Sequence, residues 1–417
     1  MSDAFLAPRL NPVVLGIVKA ALPVMFERYA GGIEVRISDA DLDRLRTLKR
    51  RRVLLCPNHP THFDPMIIMD VSKRLDEDFN FVAAREVFDR WRKWHGKVLQ
   101  RLGCYSLTRG AVDRESFAMT QKILADGKNW LVIFIEGEVS MENDTALPFE
   151  AGVMSLALRV QDKLCDKGEG PPLYVVPVGM KTFYKPGLET AIDAALRRLE
   201  ETVGIAVGGA GGAVGGISWE SLRQRIRGVG SALLTAVEKT YLLPPKPADT
   251  IDARMNALKQ RLLAKIEAHL DLTPAADASV LDRVRAAKNR MDRIVHAYAD
   301  ADEKVSAYEE RLLKLRRQTF AEFYADLGRL VNFLTLRGDY LDHATPERFA
   351  EVIIRLEHEI LGAPRLVYPR TTHIGIGAIR DLRDTLPAFR KDKRTAFTAL
   401  THDLEAEMIA LLRPTAP

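Results

Sequence analysis

The sequence predicts an α/β layered domain together with a long, mostly α-helical stretch, and three observations carry that prediction. Short, continuous apolar runs punctuate residues 32–185: Arg52-Val-Leu-Leu-Cys56, Trp130-Leu-Val-Ile-Phe-Ile135 and Tyr174-Val-Val-Pro-Val178. Such runs suit strands buried on both faces of a sheet. Helical periodicity alternates with them, at 64–75 and 114–126, as a layered α/β domain requires. From 186 to 365 strand signals become scarce and helical periodicity dominates.

Composition bounds the rest. A chain of 417 residues allows two or three domains, or one domain with a large insertion. With 47% hydrophobic and 28% charged residues, disorder and fibrous repeats are excluded. Cys56, Cys104 and Cys165 lie far apart with no CxxC spacing, which argues against a disulfide framework or structural zinc and fits a reducing cytoplasm. The net charge of +5 suits an anionic substrate or membrane surface but is too small to argue for nucleic acid.

Taken in order, the first segment, 1–31, contains the apolar stretch Pro12–Phe26. It is too short to span a bilayer, which needs about 20 apolar residues, and Lys19 and Pro23 interrupt it. No secretory signal fits, since only Arg9 precedes it and no small-residue cleavage site comes after it. Either it lies in a membrane interface with Lys19 and Arg28 at the headgroups, or it is a helix packed on the core. The strand Arg52–Cys56 leads into Pro-Asn and then a helix opened by Asp64-Pro65, read as N-cap and first helical position. Further on, helices are expected at 188–202, 218–242, 248–271 and 279–317, with shorter pieces to 361. Thr345-Pro346-Glu347 is a helix start: hydroxyl cap, proline, then an acid facing the dipole. Strand character returns at 371–377, and a last helix at 391–412 puts Leu400, Leu404, Met408 and Leu411 on one face.

The glycine-rich connector 203–216 can be threaded as GxGxxG, yet it has helix on both sides. A dinucleotide fingerprint needs a preceding strand and a downstream acid, so a flexible connector is the better reading. Residues 248–317 read as a long antiparallel helical pair with a turn at Pro274. Its recurrent lysines and arginines, including Arg283, Lys288, Arg311, Lys314, Arg316 and Arg317, are either solvated faces with i,i+4 pairs such as Glu310–Lys314 or a basic surface for headgroups or an acidic carrier protein.

The chemistry is concentrated in Cys56-Pro-Asn-His-Pro-Thr-His-Phe-Asp-Pro65. His59 and Asp64 are five apart, about 140° round a continuous helix, but across a loop entering a helix they can meet. An imidazole whose second nitrogen is held by a carboxylate is a competent general base at neutral pH. Two other readings apply: a metal cluster with His62, which lacks a further ligand pair, and a plain loop in which Asp64 merely caps a helix.

Four blocks in order resemble the glycerolipid acyltransferases of the glycerol-3-phosphate and lysophosphatidate acyltransferase type. They are the HxxxxD block His59–Asp64, then Gly103-Cys-Tyr-Ser-Leu-Thr-Arg-Gly110, then Phe134-Ile-Glu-Gly-Glu138, then Val175-Val-Pro-Val-Gly179. Leu147-Pro-Phe149 with Gly152 resembles the segment downstream of the family's third block, and 371–382 with the final helix resembles the domain's usual end. The resemblance implies a discontinuous acyltransferase domain, 32–185 and 366–417, with a central mixed, largely parallel sheet and 186–365 as a helical insertion. It implies that His59 deprotonates an acceptor hydroxyl that attacks the thioester of acyl-CoA or acyl carrier protein, with Asp64 orienting it. It further implies that Arg109 holds the acceptor phosphate, that Glu136, Gly137 and Asn58 bind the acceptor, and that neither metal nor cofactor is needed. The expected location is peripheral, on the inner face of the membrane. Donors for the oxyanion are sought among backbone N–H groups near 57–60 or at the helix start after Asp64. One departure stands out: Ile135-Glu-Gly-Glu-Val139 lacks the family's third-block arginine, and Glu138 adds a charge that repels phosphate. Arg114 and Arg159 are further cations. Another lysolipid or hydroxylated lipid acceptor, or a non-catalytic membrane-associated protein with a decayed domain, remain as alternatives.

Overall fold

The computed structural model describes residues 5–89, 93–108, 113–166, 168–206, 217–244, 249–296, 306–333, 340–342 and 345–413. The described chain divides into two compact units, one within Ala4–Thr108, Val112–Phe183 and Pro369–Pro417, the other within Tyr184–Tyr368.

The first unit is built on a sheet of β1 (Ile33–Ile37), β2 (Arg52–Pro57), β3 (Phe79–Ala84), β4 (Cys104–Leu107), β5 (Trp130–Val132), β6 (Leu173–Tyr184), β7 (Arg370–Ile376) and β8 (Arg380–Asp381). The order is β1-β7-β6-β2-β5-β3-β4, with β8 antiparallel beside β6. From β6 through β4 every pairing is parallel. β1 and β7 are parallel to each other. Gly377 N–H donates to Pro177 C=O at 2.9 Å, and the Thr182 and Thr372 hydroxyls meet at 2.9 Å, so β7 runs against β6. The sheet is mixed and largely parallel, and β7, from the far end of the chain, is needed to join β1 to it.

Alternation along each strand feeds two apolar layers. Val53, Leu55, Trp130, Val132, Val176 and Val178 face one, and Leu54, Cys56, Leu131, Leu173 and Val175 face the other. That two-sided burial is what the continuous apolar runs encode. The run 130–135 nevertheless gives a strand only as far as Val132. Gly137 N–H turns back to Phe134 C=O at 3.0 Å, with Gly137 at φ +72°, and the chain leaves the sheet. β6 is longer than its run, reaching Tyr184.

The helices before the second unit are α1 (Pro12–Arg28), α2 (Asp39–Arg46), α3 (Asp64–Leu75), α4 (Arg85–Asp89), α5 (Lys93–Arg101), α6 (Arg114–Asp126) and α7 (Ala151–Leu164). α1 packs on the core through Leu15, Leu22 and Phe26. Lys19 does not face outward as the interfacial reading expects, because its ammonium pairs with Asp78 at 3.0 Å. The opposite face of α1 stays apolar and open: Val13, Ile17 and Val24 are 71%, 64% and 58% exposed. Steps of four and seven residues put all three on one side.

The second unit holds α8 (Leu188–Val203), α9 (Trp219–Thr240), α10 (Ile251–Leu270), α11 (Val280–His296), α12 (Ala307–Asn332) and α13 (Pro346–Leu361). The expected single helix 279–317 is wrong: α11 ends at His296, and a new helix, α12, starts after Ser306 and runs on to Asn332. The start is set by a capping box, in which the Ser306 hydroxyl accepts from Glu309 N–H and the Glu309 carboxylate accepts from Ser306 N–H. The pair expected over 248–317 is therefore part of a set of three helices, α10 to α12. Some of the basic residues are internally paired, Arg283 with Glu267 at 2.7 Å and Arg254 with Glu238 at 2.7 Å. Thr345 caps α13 by accepting from Arg348 N–H, as its sequence indicates. Residues 207–216 of the glycine-rich connector lie outside the described residues. The chain ends with α14 (Leu386–Lys391) and α15 (Lys393–Leu412). Leu400, Leu404, Met408 and Leu412 of α15 join Leu158 of α7 in one core layer.

Candidate active site

The carboxyl ends of β2, β5, β3 and β4 lie along one edge of the sheet, because these strands are parallel neighbours. Ligands of open α/β sheets bind outside that edge. Two of the sequence blocks emerge directly from it, 58–64 after β2 and 134–138 after β5, and a third supplies β4 itself, described as far as Thr108.

His59 and Asp64 do meet. His59 Nδ1 lies 2.8 Å from Asp64 Oδ2, with the imidazole 16% and the carboxylate 1% exposed. Asp64 does not cap α3, contrary to the expected N-cap: Phe63 occupies that position with no side-chain cap bond, and Asp64 is the first helical residue. Its carboxylate folds back on the loop instead. Thr61 donates to it twice, N–H to Oδ2 at 2.8 Å and hydroxyl to Oδ1 at 2.6 Å. A carboxylate bound to Nδ1 fixes the neutral ring with its proton there, so Nε2 carries the basic lone pair. The ring is further held by stacking on Phe134, centroids 4.1 Å apart at 23°.

The His59 backbone is fixed as firmly as its ring. Its N–H donates to Glu136 Oε1 at 2.5 Å, and its C=O accepts from Ser140 N–H at 2.9 Å. Glu136 is fully buried, and its other oxygen accepts from Leu147 N–H at 2.6 Å. The carboxylate thus ties the third block to the first and to the segment after it. Gly137 supplies the turn: a Cβ at its positive φ would meet Glu150 Cγ at 3.2 Å. The Asn58 amide, also fully buried, bonds backbone on both sides, Nδ2 to Met180 C=O at 3.0 Å and Oδ1 from Met180 N–H at 2.7 Å. These bonds make Asn58 a clasp between β2 and β6. Asn143 repeats the clasp two residues on, at Thr182, with both bonds at 2.7 Å. β2 pairs with β6 only as far as Val178, so the amides replace a missing strand and satisfy backbone groups that would otherwise be buried unpaired.

Arg109 and Gly110 lie outside the described residues. The expected oxyanion donors are already engaged. N–H of Asn58 donates to Val178 C=O, that of His59 to Glu136, and that of Thr61 to Asp64. At the start of α3, N–H of Met66 and Ile67 both reach Phe63 C=O. The backbone is therefore used to hold the His59 loop. Among the described residues no group of three or more His, Cys, Asp or Glu converges as a metal set. Thr61, Ser140 and Asn143, which hold the site's loops, carry no local sequence signal for those roles.

Burial pushes the Glu136 carboxyl up to about 8; the Leu147 and His59 N–H groups lower it, and Asp64 and Glu142 raise it. A folded value above the unfolded one means that stability is greatest below the unfolded value and is lost as pH rises toward about 8. Between those limits the expected loss is about 1.4 kcal/mol per pH unit. Denaturant unfolding of wild type and Glu136→Gln across pH 5–8 checks this: wild type should show the extra downward slope, and parallel curves would refute it.

No curated protein matches the chain closely enough to count as a relative. Residues 36–181, which carry the sheet from β1 to β6 and the His59 loop, match the model of the Acyltransferase family, and this supports acyl transfer as the domain's general activity.

Proposed function

We propose that the protein transfers a fatty acyl group from acyl-CoA or acyl carrier protein to a hydroxyl of a glycerol-phosphate-based acceptor, lysophosphatidate or glycerol-3-phosphate. The observation that carries the mechanism is the His59–Asp64 contact at 2.8 Å, with Asp64 clamped by Thr61. His59 Nε2 takes the proton of the acceptor hydroxyl as its oxygen attacks the thioester carbonyl. Buried Asp64 stabilises the imidazolium that forms. Collapse of the tetrahedral intermediate expels the thiolate, the imidazolium returns the proton to sulfur, and the products are the ester and free thiol. Every group needed for proton transfer is in the chain, so acyl donor and acceptor suffice without metal or organic cofactor. Arg109 is the first candidate for the acceptor phosphate, since a guanidinium offers two parallel donors to phosphate oxygens. Arg85 is a second, from the neighbouring strand end. Glu138, a third-block carboxylate that would repel a phosphate, favours a second reading, another lysolipid or hydroxylated lipid as acceptor. Transfer of radiolabelled acyl groups to a panel of acceptors separates the two.

A peripheral place on the inner membrane surface is supported by the open apolar face of α1. Among the described residues no helix is long and apolar enough to cross a membrane. Replacing Val13, Ile17 and Val24 together by serine leaves the packed face of α1 intact and should lower flotation with anionic liposomes several-fold. Unchanged flotation would remove the membrane role of α1.

A further inference from the structure

Between Arg90 and Arg101 the sequence holds five basic residues, two of the chain's four tryptophans and no acid. The helix α5 lies within this stretch, and its two sides differ. Inward, Leu99 packs on the apolar layer and Gln100 is buried. Gly96 is so close to α4 that a Cβ there would come within 2.9 Å of Phe88 C=O. Outward, Trp94 is 57% exposed, and Lys97 and Arg101 are exposed as well. Steps of three and four residues put these three on one side. Among the described residues no ion pair engages either cation. A half-exposed indole beside two unpaired cations suits a bilayer interface, where the ring sits at headgroup depth and the cations meet anionic headgroups.

This side of α5 adjoins the open face of α1. Both helices pack on the same apolar layer, Leu15 and Leu22 from α1 and Leu99 from α5, and so cover the same side of the sheet. Their ends are tied together. Arg9 N–H donates to Gln100 C=O at 2.8 Å, and Asn11 N–H donates to Arg101 C=O at 2.9 Å, which sets the last turn of α5 against the start of α1. The open face of α1 is uncharged through Val13, Ile17 and Val24, and from Phe5 to Phe26 the sequence holds no acid. An apolar strip alone gives weak, reversible binding to lipid. An adjoining basic strip supplies the second signal that firm attachment needs.

We infer that Trp94, Lys97 and Arg101 form a headgroup contact that seats the protein on bilayers carrying anionic phospholipid in preference to zwitterionic ones. The inference rests on the peripheral location proposed above, but on residues other than those of α1. To test it, the full chain is floated with vesicles of phosphatidylcholine alone and with vesicles in which about one third is phosphatidylglycerol. Wild type should bind the anionic vesicles at least 10-fold more tightly, and about 0.5 M salt should remove that preference. Lys97→Glu with Arg101→Glu should abolish it, with binding to phosphatidylcholine and far-UV circular dichroism unchanged. Trp94→Ser should weaken binding to both vesicles several-fold. Equal binding of wild type to the two vesicles, or a folded charge-reversed variant that keeps the preference, would overturn the contact. Should charge reversal unfold the protein, Lys97→Gln with Arg101→Gln carries the same test. The serine variant of Val13, Ile17 and Val24 separates the two helices. If it floats as wild type does while charge reversal still abolishes the preference, α5 acts without α1; the converse pattern leaves α1 and removes α5. No flotation of wild type with either vesicle would overturn both.

Discussion

His59→Ala is expected to lower kcat for acyl transfer about 10²–10⁴-fold, the usual contribution of a positioned general base. The substitution removes the imidazole but not the backbone bonds to Glu136 and Ser140, so the loop should keep its place. KM for the acyl donor should stay within a few-fold, and far-UV circular dichroism should not change. A variant that loses activity together with its fold would say nothing for a base. One that keeps both activity and fold would exclude it. Steady-state kinetics of the purified variant, with both substrates varied, gives the answer.

Asp64→Asn is the second large effect. It preserves size and one acceptor oxygen, but places an NH₂ group where Asp64 now accepts from Thr61 or faces His59 Nδ1. An amide that donates to Nδ1 favours the tautomer with the proton on Nε2, which removes the basic lone pair from the acceptor side. The same change in a serine-histidine-aspartate triad costs about 10⁴ in kcat. A loss of about 10³–10⁴ is expected here. Stability should fall by about 1–3 kcal/mol, since a buried acceptor is exchanged for a mismatched donor. A variant destabilised by that amount yet fully active would assign Asp64 to the fold alone.

The parts legible in sequence are those written in local pattern. The continuous runs at 52–56 and 174–178 reveal two-sided strands because each successive side chain enters the opposite apolar layer. Thr345-Pro346 marks α13 because cap and dipole act within one turn. The His59–Asp64 pair is readable for the same reason: the two residues are five apart and the loop between them is short. What holds the pair is not local. Glu136 reaches His59 across 77 positions, Asn58 reaches Met180 across 122, and Ser140 closes on His59 across 81. No periodicity records such pairings; only the parallel order of β6, β2 and β5 brings them together. The resemblance suggests ligand-facing roles for Asn58 and Glu136, and no local pattern records that both also bond backbone of distant segments. Helix boundaries fail where a short-range signal is overlooked, as at Ser306, whose capping box divides a stretch that reads as one helix.

The most direct measurement is product formation by the purified full chain with radiolabelled acyl-CoA or acyl carrier protein and either glycerol-3-phosphate or lysophosphatidate, beside His59→Ala. Labelled lysophosphatidate or phosphatidate, formed by wild type and reduced at least 100-fold in the folded variant, is the expected result. Label found only in other hydroxylated lipids would move the acceptor assignment, and label transferred equally well by the variant, or to no acceptor with either donor, would contradict the His59 mechanism.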